Sequence, residues 1–235
     1  MTDDSEPYLL TTFLLAAAKS KGTEFLQAGA TKLSIENNRV SQVHVVGADG
    51  TTFFIPCDSV VIAAGPWTGP LSKSLLPDHP IPIFSYAGHS LIIRPSTPAT
   101  ADCLFMTLRT RKSSYHPEIF PRASGEIYIC GVNGNLPLPA TPTAAIPRAK
   151  EIAKVKEIAD AIFPATYKIE KERLCFRPTT AHGDPFVCPV PHVEGVFVGA
   201  GHNFWGITLG PGTGKALSEM VLGVEMSADV GELCL

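Results

Sequence analysis

Leu9, Leu10, Phe13, Leu14 and Ala17 recur at helical spacing. Ser5 suits an N-cap, Pro7 the first turn, Lys19 the end, and Gly22 lies just beyond, so the pattern predicts a helix over residues 7–20. The period then changes to two. Thr31–Glu36, Val40–Val46 and Thr51–Ile55 alternate apolar and polar positions between the turn signals Asn37-Asn38 and Gly47-Ala48-Asp49-Gly50. They predict an antiparallel meander. Ser59-Val60-Val61-Ile62-Ala63-Ala64-Gly65 is apolar without alternation, the mark of a strand buried on both faces in a parallel sheet. It ends in small residues that let a ligand or another backbone come close.

Beyond residue 80 the character shifts. Ile83–Pro95, Asp102–Leu108 and Glu126–Val132 read as strands of a second, mostly antiparallel sheet. The uncharged stretch Gly134–Pro147, with four prolines, reads as an extended connection. Arg148–Phe163 places Ile152, Val155, Ala159 and Ile162 on one stripe with Lys and Glu opposite, an amphipathic helix. Lys168–Phe176 is a further strand. At Val196-Phe197-Val198-Gly199 the parallel-sheet style returns. A polar-aromatic loop follows, then a glycine-rich turn leading through Pro211 into the helical pattern Lys215–Leu222. Strand, glycine loop and helix in this order aim backbone N–H groups at an anionic or electron-rich ligand.

These patterns define a mixed α/β (α+β) chain with a discontinuous organisation. One α/β domain is built from residues 1–79 and 170–235, and a β-rich domain of residues 80–169 is inserted in it. Clefts between such domains commonly hold ligands.

Composition narrows the function. The chain has 235 residues, 45% hydrophobic and 17% charged, with net charge −3, which gives no electrostatic reason to expect nucleic acid or an anionic membrane surface. The longest apolar run, Tyr8–Ala18, is too short to span a bilayer, which takes about 20 residues. The acidic start Met1–Pro7 lacks the basic region of a signal peptide. The six cysteines are scattered with no Cys-x-x-Cys pair, pointing to reduced thiols. An intracellular, cytoplasmic protein without membrane insertion is expected. His182, Cys188 and His192 match no zinc spacing, and no Gly-x-Ser-x-Gly elbow is present.

Three ordered segments carry a resemblance. Asp58-Ser59-Val60-Val61-Ile62-Ala63-Ala64-Gly65-Pro66-Trp67, Cys175-Phe176-Arg177-Pro178-Thr179-Thr180-Ala181-His182-Gly183-Asp184-Pro185 and Gly201-His202-Asn203-Phe204-Trp205-Gly206-Ile207-Thr208-Leu209 together resemble the FAD-dependent oxidoreductases of the D-amino-acid oxidase, glycine oxidase and sarcosine oxidase superfamily. Pro117–Arg122 with Gly125–Gly131 resembles the substrate-domain sheet of a fungal-type branch. The resemblance implies a partial FAD-binding domain with an inserted substrate-type domain. The activity it implies is flavin-dependent oxidation of the C–N bond of an amine or amino acid. Two departures stand out. The family's opening Gly-x-Gly-x-x-Gly unit has no counterpart, since Gly210-x-Gly212-x-Gly214 comes too late, so the chain is expected to be a C-terminal portion of a longer flavoenzyme. The family's Asp in the second segment is His182 here, which alters the charge and hydrogen bonding of that loop.

The resemblance places Ala63, Ala64, Gly65 and Trp67 along the cofactor, where close packing at a strand end is the competing explanation. Gly201, His202, Gly206, Ile207, Thr208 and Leu209 would face the flavin, with N–H donors of a helix start at its pyrimidine edge; an ordinary helix cap is the alternative. Trp205 could flank the flavin or anchor a core. Arg177 could fork onto a substrate carboxylate or form a structural ion pair. His89 could face the flavin from the inserted sheet. Arg122 and Tyr128 are weaker substrate-site candidates. Cys175 sits where some relatives tether flavin covalently, although a small apolar packing residue is the commoner reading. The partner implied is a small-molecule amine or amino acid. A non-catalytic flavoprotein-derived module, for interaction or trafficking, is the competing class. A nicotinamide reductase is a third, and it lacks its own fingerprint.

Overall fold

The computed structural model describes residues 7–98, 100–110, 113–163 and 166–235. In chain order its elements are α1 (Pro7–Ser20), β1 (Ala28–Glu36), β2 (Arg39–Gly47), β3 (Thr52–Pro56), β4 (Val60–Ile62), α2 (Thr68–Leu75), β5 (Phe84–Pro95), β6 (Leu104–Phe105), β7 (Leu108–Arg109), β8 (Ser114–Tyr115), β9 (Glu118–Pro121), β10 (Ile127–Gly134), α3 (Ala149–Ile162), β11 (Tyr167–Thr179), β12 (Phe186–Pro189), β13 (Val196–Ala200) and α4 (Gly206–Leu222). The fold is the mixed α/β class that the patterns require. α1 coincides with the helix read from the sequence; Ser5, its expected N-cap, lies outside the described residues. No helix among the described residues is long and apolar enough to cross a membrane.

The chain divides into two compact units, one of residues up to Gly22 with Tyr86–Phe176, the other of Thr23–Ser85 with Arg177–Leu235. The first unit is organised by an antiparallel sheet in the order β11-β5-β10-β9-β6. Its register sets Ile127 opposite Ile93 and Ile129 opposite Leu91, and these side chains pack with Ile152, Val155, Ile158 and Ala159 of α3. The α3 stripe is therefore the one its periodicity predicts, with Ile158 added and Ile162 only partly buried. The expected strand Asp102–Leu108 is instead two short strands, β6 and β7, with β7 turning back into β8. Met106-Thr107 interrupts them, and the Met106 N–H bonds the Pro117 carbonyl.

The second unit begins with the expected meander β1-β2-β3. Asn37 and Asn38 both take left-handed backbone, φ 49° and 63°, which fits the two-residue hairpin turn that Asn tolerates. A second sheet runs β12-β13-β4, with β13 and β4 parallel and Val198 beside Ile62. Its core joins Val196, Val198, Ile62 and Phe186 to Leu76 and Ile81.

Two expectations need correction here, and one helix was not foreseen. β4 is an edge strand: Ile62 is buried but Val61 is 42% exposed, so its continuous apolar run does not mean burial on both faces. α2 was not anticipated. It is short, with Pro70 in its first turn, and Ser72 holds it by donating to the Gly69 carbonyl (2.9 Å) and accepting from Ile81 N–H (2.9 Å). Finally, α4 begins at Gly206 and contains Pro211, whereas the helical pattern starts only at Lys215. Glycine and proline propensities oppose this start. Tertiary packing overrides them: Ala216 and Leu217 bury against Val187, and the helix closes its first turn with the Leu209 N–H on Trp205 O (2.9 Å).

Candidate functional site at the carboxyl end of the parallel strand pair

Parallel β4 and β13 end side by side, because Val198 pairs with Ile62. The segments leaving them, Ala63-Ala64-Gly65 and Gly201-His202, therefore emerge at one edge of the second unit. The antiparallel partner β12 starts at the same edge, with Phe186 opposite Ala200. This brings in the loop of residues 177–185. Asn203 N–H donates to the Pro178 carbonyl at 2.8 Å, and a Cβ on Gly201 would meet Thr180 Cγ2 at 2.7 Å and Pro185 Cα at 3.3 Å. All three sequence segments thus converge where open α/β sheets place their ligands.

Each loop is held by identifiable contacts. Ala64 leads into a 3-10 turn at Gly65–Trp67, whose Trp67 N–H bonds the Ala64 carbonyl (3.1 Å). Thr180 organises the middle loop: its hydroxyl donates to Asp184 O (2.7 Å) and accepts from Gly183 N–H (3.0 Å). His182, where the resemblance expects an acid, is exposed on that loop. His202 shares a 2.8 Å hydrogen bond with the Thr213 hydroxyl, which pins the third loop to α4. Burial lowers the His202 pKa from its ordinary value, disfavouring the charged imidazolium. Asn203 turns the chain in left-handed backbone (φ 52°). The Arg177 guanidinium lies over the Phe204 ring, 4.4 Å from its centroid.

The start of α4 is open. Its N-cap, Trp205, supplies no side-chain cap and is 64% exposed. Gly206, Ile207, Thr208 and Leu209 are all exposed. A Cβ on Gly210, Gly212 or Gly214 would meet nothing within 4 Å. The Asn203 Oδ1 is buried and has no hydrogen-bond partner among the described residues.

Of the candidate residues, Ala63, Ala64, Gly65, Trp67, Arg177, Gly201, His202, Trp205, Gly206, Ile207, Thr208 and Leu209 all belong to this unit. His89 belongs to the other one. It is buried, and its Nε2 accepts the Arg148 N–H (3.2 Å) at the start of α3; burial lowers its pKa. Also in that unit, Arg122 pairs with Glu126 at 3.6 Å and lies 6.0 Å from the Tyr128 ring centroid. Cys175 is exposed, its thiol 3.5 Å from Gly88 O. Sequence reasoning did not single out Thr180, Asn203, Phe204 or Thr213 as site residues. The left-handed backbone that Asn favours was the available signal for Asn203; Thr180 bonds Gly183 and Asp184 within its own loop, whereas Phe204 and Thr213 act through Arg177 and His202. Two cavities, of about 410 Å³ beside Arg39 and Asp58 and about 150 Å³ beside Pro137 and Phe176, are not lined by these loops.

A glycine-rich loop entering an uncapped helix beside parallel strands defines a cofactor-binding α/β protein. The family model described as FAD dependent oxidoreductase matches residues 2–220, and the chain belongs to that family. A Schizosaccharomyces pombe protein that carries the name oxidoreductase is 29% identical over 175 residues, 73% of this chain and 44% of that protein. Glycine oxidase of Pseudomonas putida is 26% identical over 83% of this chain and 48% of its own length. The crystal structure of iminodiacetate oxidase from Chelativorans sp. BNC1 superposes with a TM-score of 0.76 at 20% identity, covering 97% of this chain and 57% of that one. The chain spans about half the length of the curated relatives it matches. The family's cofactor is FAD, and the residues present fit a flat group with a polar edge: open glycine positions, N–H donors with no side-chain cap and an Asn203 oxygen without a partner among the described residues.

Proposed function

We propose that this chain provides the flavin-ring and substrate-carboxylate side of an FAD-dependent oxidoreductase that acts on the C–N bond of an amine or amino acid. The convergence of the three loops at the carboxyl end of β4 and β13 carries the reading. Ala63, Ala64, Gly65, Trp67 and Gly201 would line the cofactor. His202 and the N–H groups of Gly206, Ile207, Thr208 and Leu209 would hold the ring's polar edge.

When bound, FAD supplies the electron acceptance that turns a C–N single bond into an imine. The protein's share is positioning and polarisation. The positive end of α4 favours negative charge at its first turn, worth about 0.3–1 kcal/mol and more when partly buried. His202 is tied to Thr213, and burial disfavours its cationic form. Arg177 presents a planar fork suited to a carboxylate, and stacking on Phe204 fixes that plane. Trp205 would exclude water beside the ring. Glycine oxidase and iminodiacetate oxidase, among the similar proteins, are named for small amine carboxylates, which agrees with a carboxylate-reading arginine.

Titrating the purified chain with FAD tests this. Bound-flavin absorption that bleaches on adding glycine or iminodiacetate under nitrogen is the expected result. Protein that takes up no FAD would overturn the proposal and leave the non-catalytic module.

A further inference from the structure

Cys188 and Cys234 are distant in sequence but adjacent in the second unit. The Val187 N–H donates to the Leu233 carbonyl at 2.8 Å, which lays the segment around Cys234 along β12. The Cys234 thiol and the Leu235 backbone lie close enough to the Cys188 sulfur to act on its ionisation. Leu233 and Val230 pack against Val187, Ala216 and Leu217, which seats the segment after α4 on β12. The two thiols differ in access: Cys188 is 1% exposed, whereas Cys234 is exposed.

We propose that Cys188 and Cys234 form a reversible disulfide that clips the segment after α4 onto β12, with a hydroperoxide as oxidant. The accessible Cys234 sulfur attacks the peroxide oxygen. The O–O bond breaks, an alcohol or water leaves, and Cys234 becomes a sulfenic acid. Cys188 then attacks that sulfur. The S–S bond forms, the S–O bond breaks, and water leaves carrying the Cys188 proton. Two electrons pass from the thiol pair to the peroxide, and a dithiol reductant returns them by exchange. Burial holds the Cys188 thiol up at about 11, so it is a protonated thiol at neutral pH, and the accessible Cys234 is the one that meets the oxidant. The loop so closed contains β13 and α4, the two elements that build the candidate site, and closing it restricts the unfolded chain.

The test uses the full chain. It is treated with hydrogen peroxide, quenched by alkylation, and mapped with chymotrypsin, which separates Cys175 from Cys188 by cutting after Phe176. The expected result is a linked Cys188–Cys234 peptide that dithiothreitol reverses, with the melting temperature of the oxidised protein raised by several degrees. Cys234→Ser should abolish both effects and leave the reduced protein's melting temperature unchanged, while Cys175→Ser should abolish neither. Cys188 still alkylatable when Cys234 is oxidised, or a melting temperature that oxidation leaves unmoved, overturns the proposal.

Discussion

Gly201 and Gly206 bound one loop, and their backbones ask opposite things of a side chain. Gly201 sits at φ +99° with Thr180 Cγ2 only 2.7 Å from where a Cβ would be. Gly201→Ala should therefore cost about 2–3 kcal/mol in urea unfolding, from left-handed strain plus the clash. At Gly206 a Cβ meets only His202 Cβ, at 3.9 Å. Gly206→Val should leave stability within about 1 kcal/mol yet weaken FAD binding by roughly tenfold, since it crowds the uncapped donors. Gly223→Val should do the reverse: its φ of +64° ends α4, so stability falls while the FAD affinity of the folded protein holds. Equal effects on FAD affinity would refute the helix-start site. Ala63-Ala64-Gly65 and Gly201–Leu209 were legible as candidate-site segments because glycine and alanine runs interrupt strong apolar patterns. Thr213 was not, because nothing local marks a hydroxyl that bonds the ring nitrogen of His202, and Thr180, whose partners Gly183 and Asp184 lie in its own loop, is not distinguished by pattern from the threonine beside it.

Along α4, the glycines conflict with helix stability. Gly212 and Gly214 have open space where a Cβ would go and no positive φ, so no packing among the described residues requires glycine there. Gly212→Ala and Gly214→Ala should each stabilise the chain by about 0.5–1 kcal/mol in thermal or urea melts. If the open face receives the cofactor, the same changes weaken FAD uptake. A stability gain with FAD uptake unchanged would show that the cofactor does not use this face. Further along the helix, Glu219 accepts from Lys215 Nζ (2.8 Å) and from the Ser227 N–H (3.0 Å), tying the following segment to the helix. The Lys215 hydrogen bond, then that of Ser227, hold the Glu219 carboxyl down at about 2. A carboxylate lowered in the folded state stabilises above its unfolded value of about 4.3 and loses that contribution as pH falls toward 2. Glu219→Gln should flatten the fall of melting temperature between these pH values; an unchanged slope would refute the tether. Elements whose signal is local were legible: the Asn37-Asn38 hairpin and the α3 stripe. The start of α4 and the exposure of β4 were not, because packing on the distant Val187 supports the helix and the position of β4 at the sheet edge decides its exposure.

At the scale of the whole chain, α1 was the easiest element to read and is the least integrated. Its periodicity gives the boundaries 7–20, yet none of its residues is buried, and Tyr8, Leu9, Phe13 and Leu14 are exposed. Amphipathic spacing specifies which side chains share a face; it does not specify what covers that face. An isolated helix of this length is marginal in water, and the Thr11 and Thr12 hydroxyls that bond back to Pro7 O and Tyr8 O (both 2.8 Å) do not add to its stability. The folding free energy of the described residues therefore rests on the α3-backed sheet of one unit and the β12-β13-β4 core of the other. Removing residues 1–22 should lower the melting temperature by no more than about 2 °C. Limited proteolysis of the intact chain should cut first between Lys19 and Phe25, leaving a product from which the candidate site has lost nothing. It should also reduce the binding of a hydrophobic dye, because the exposed apolar side chains of α1 go with it. A fall of more than about 5 °C would mean that α1 carries packing energy its exposure does not express.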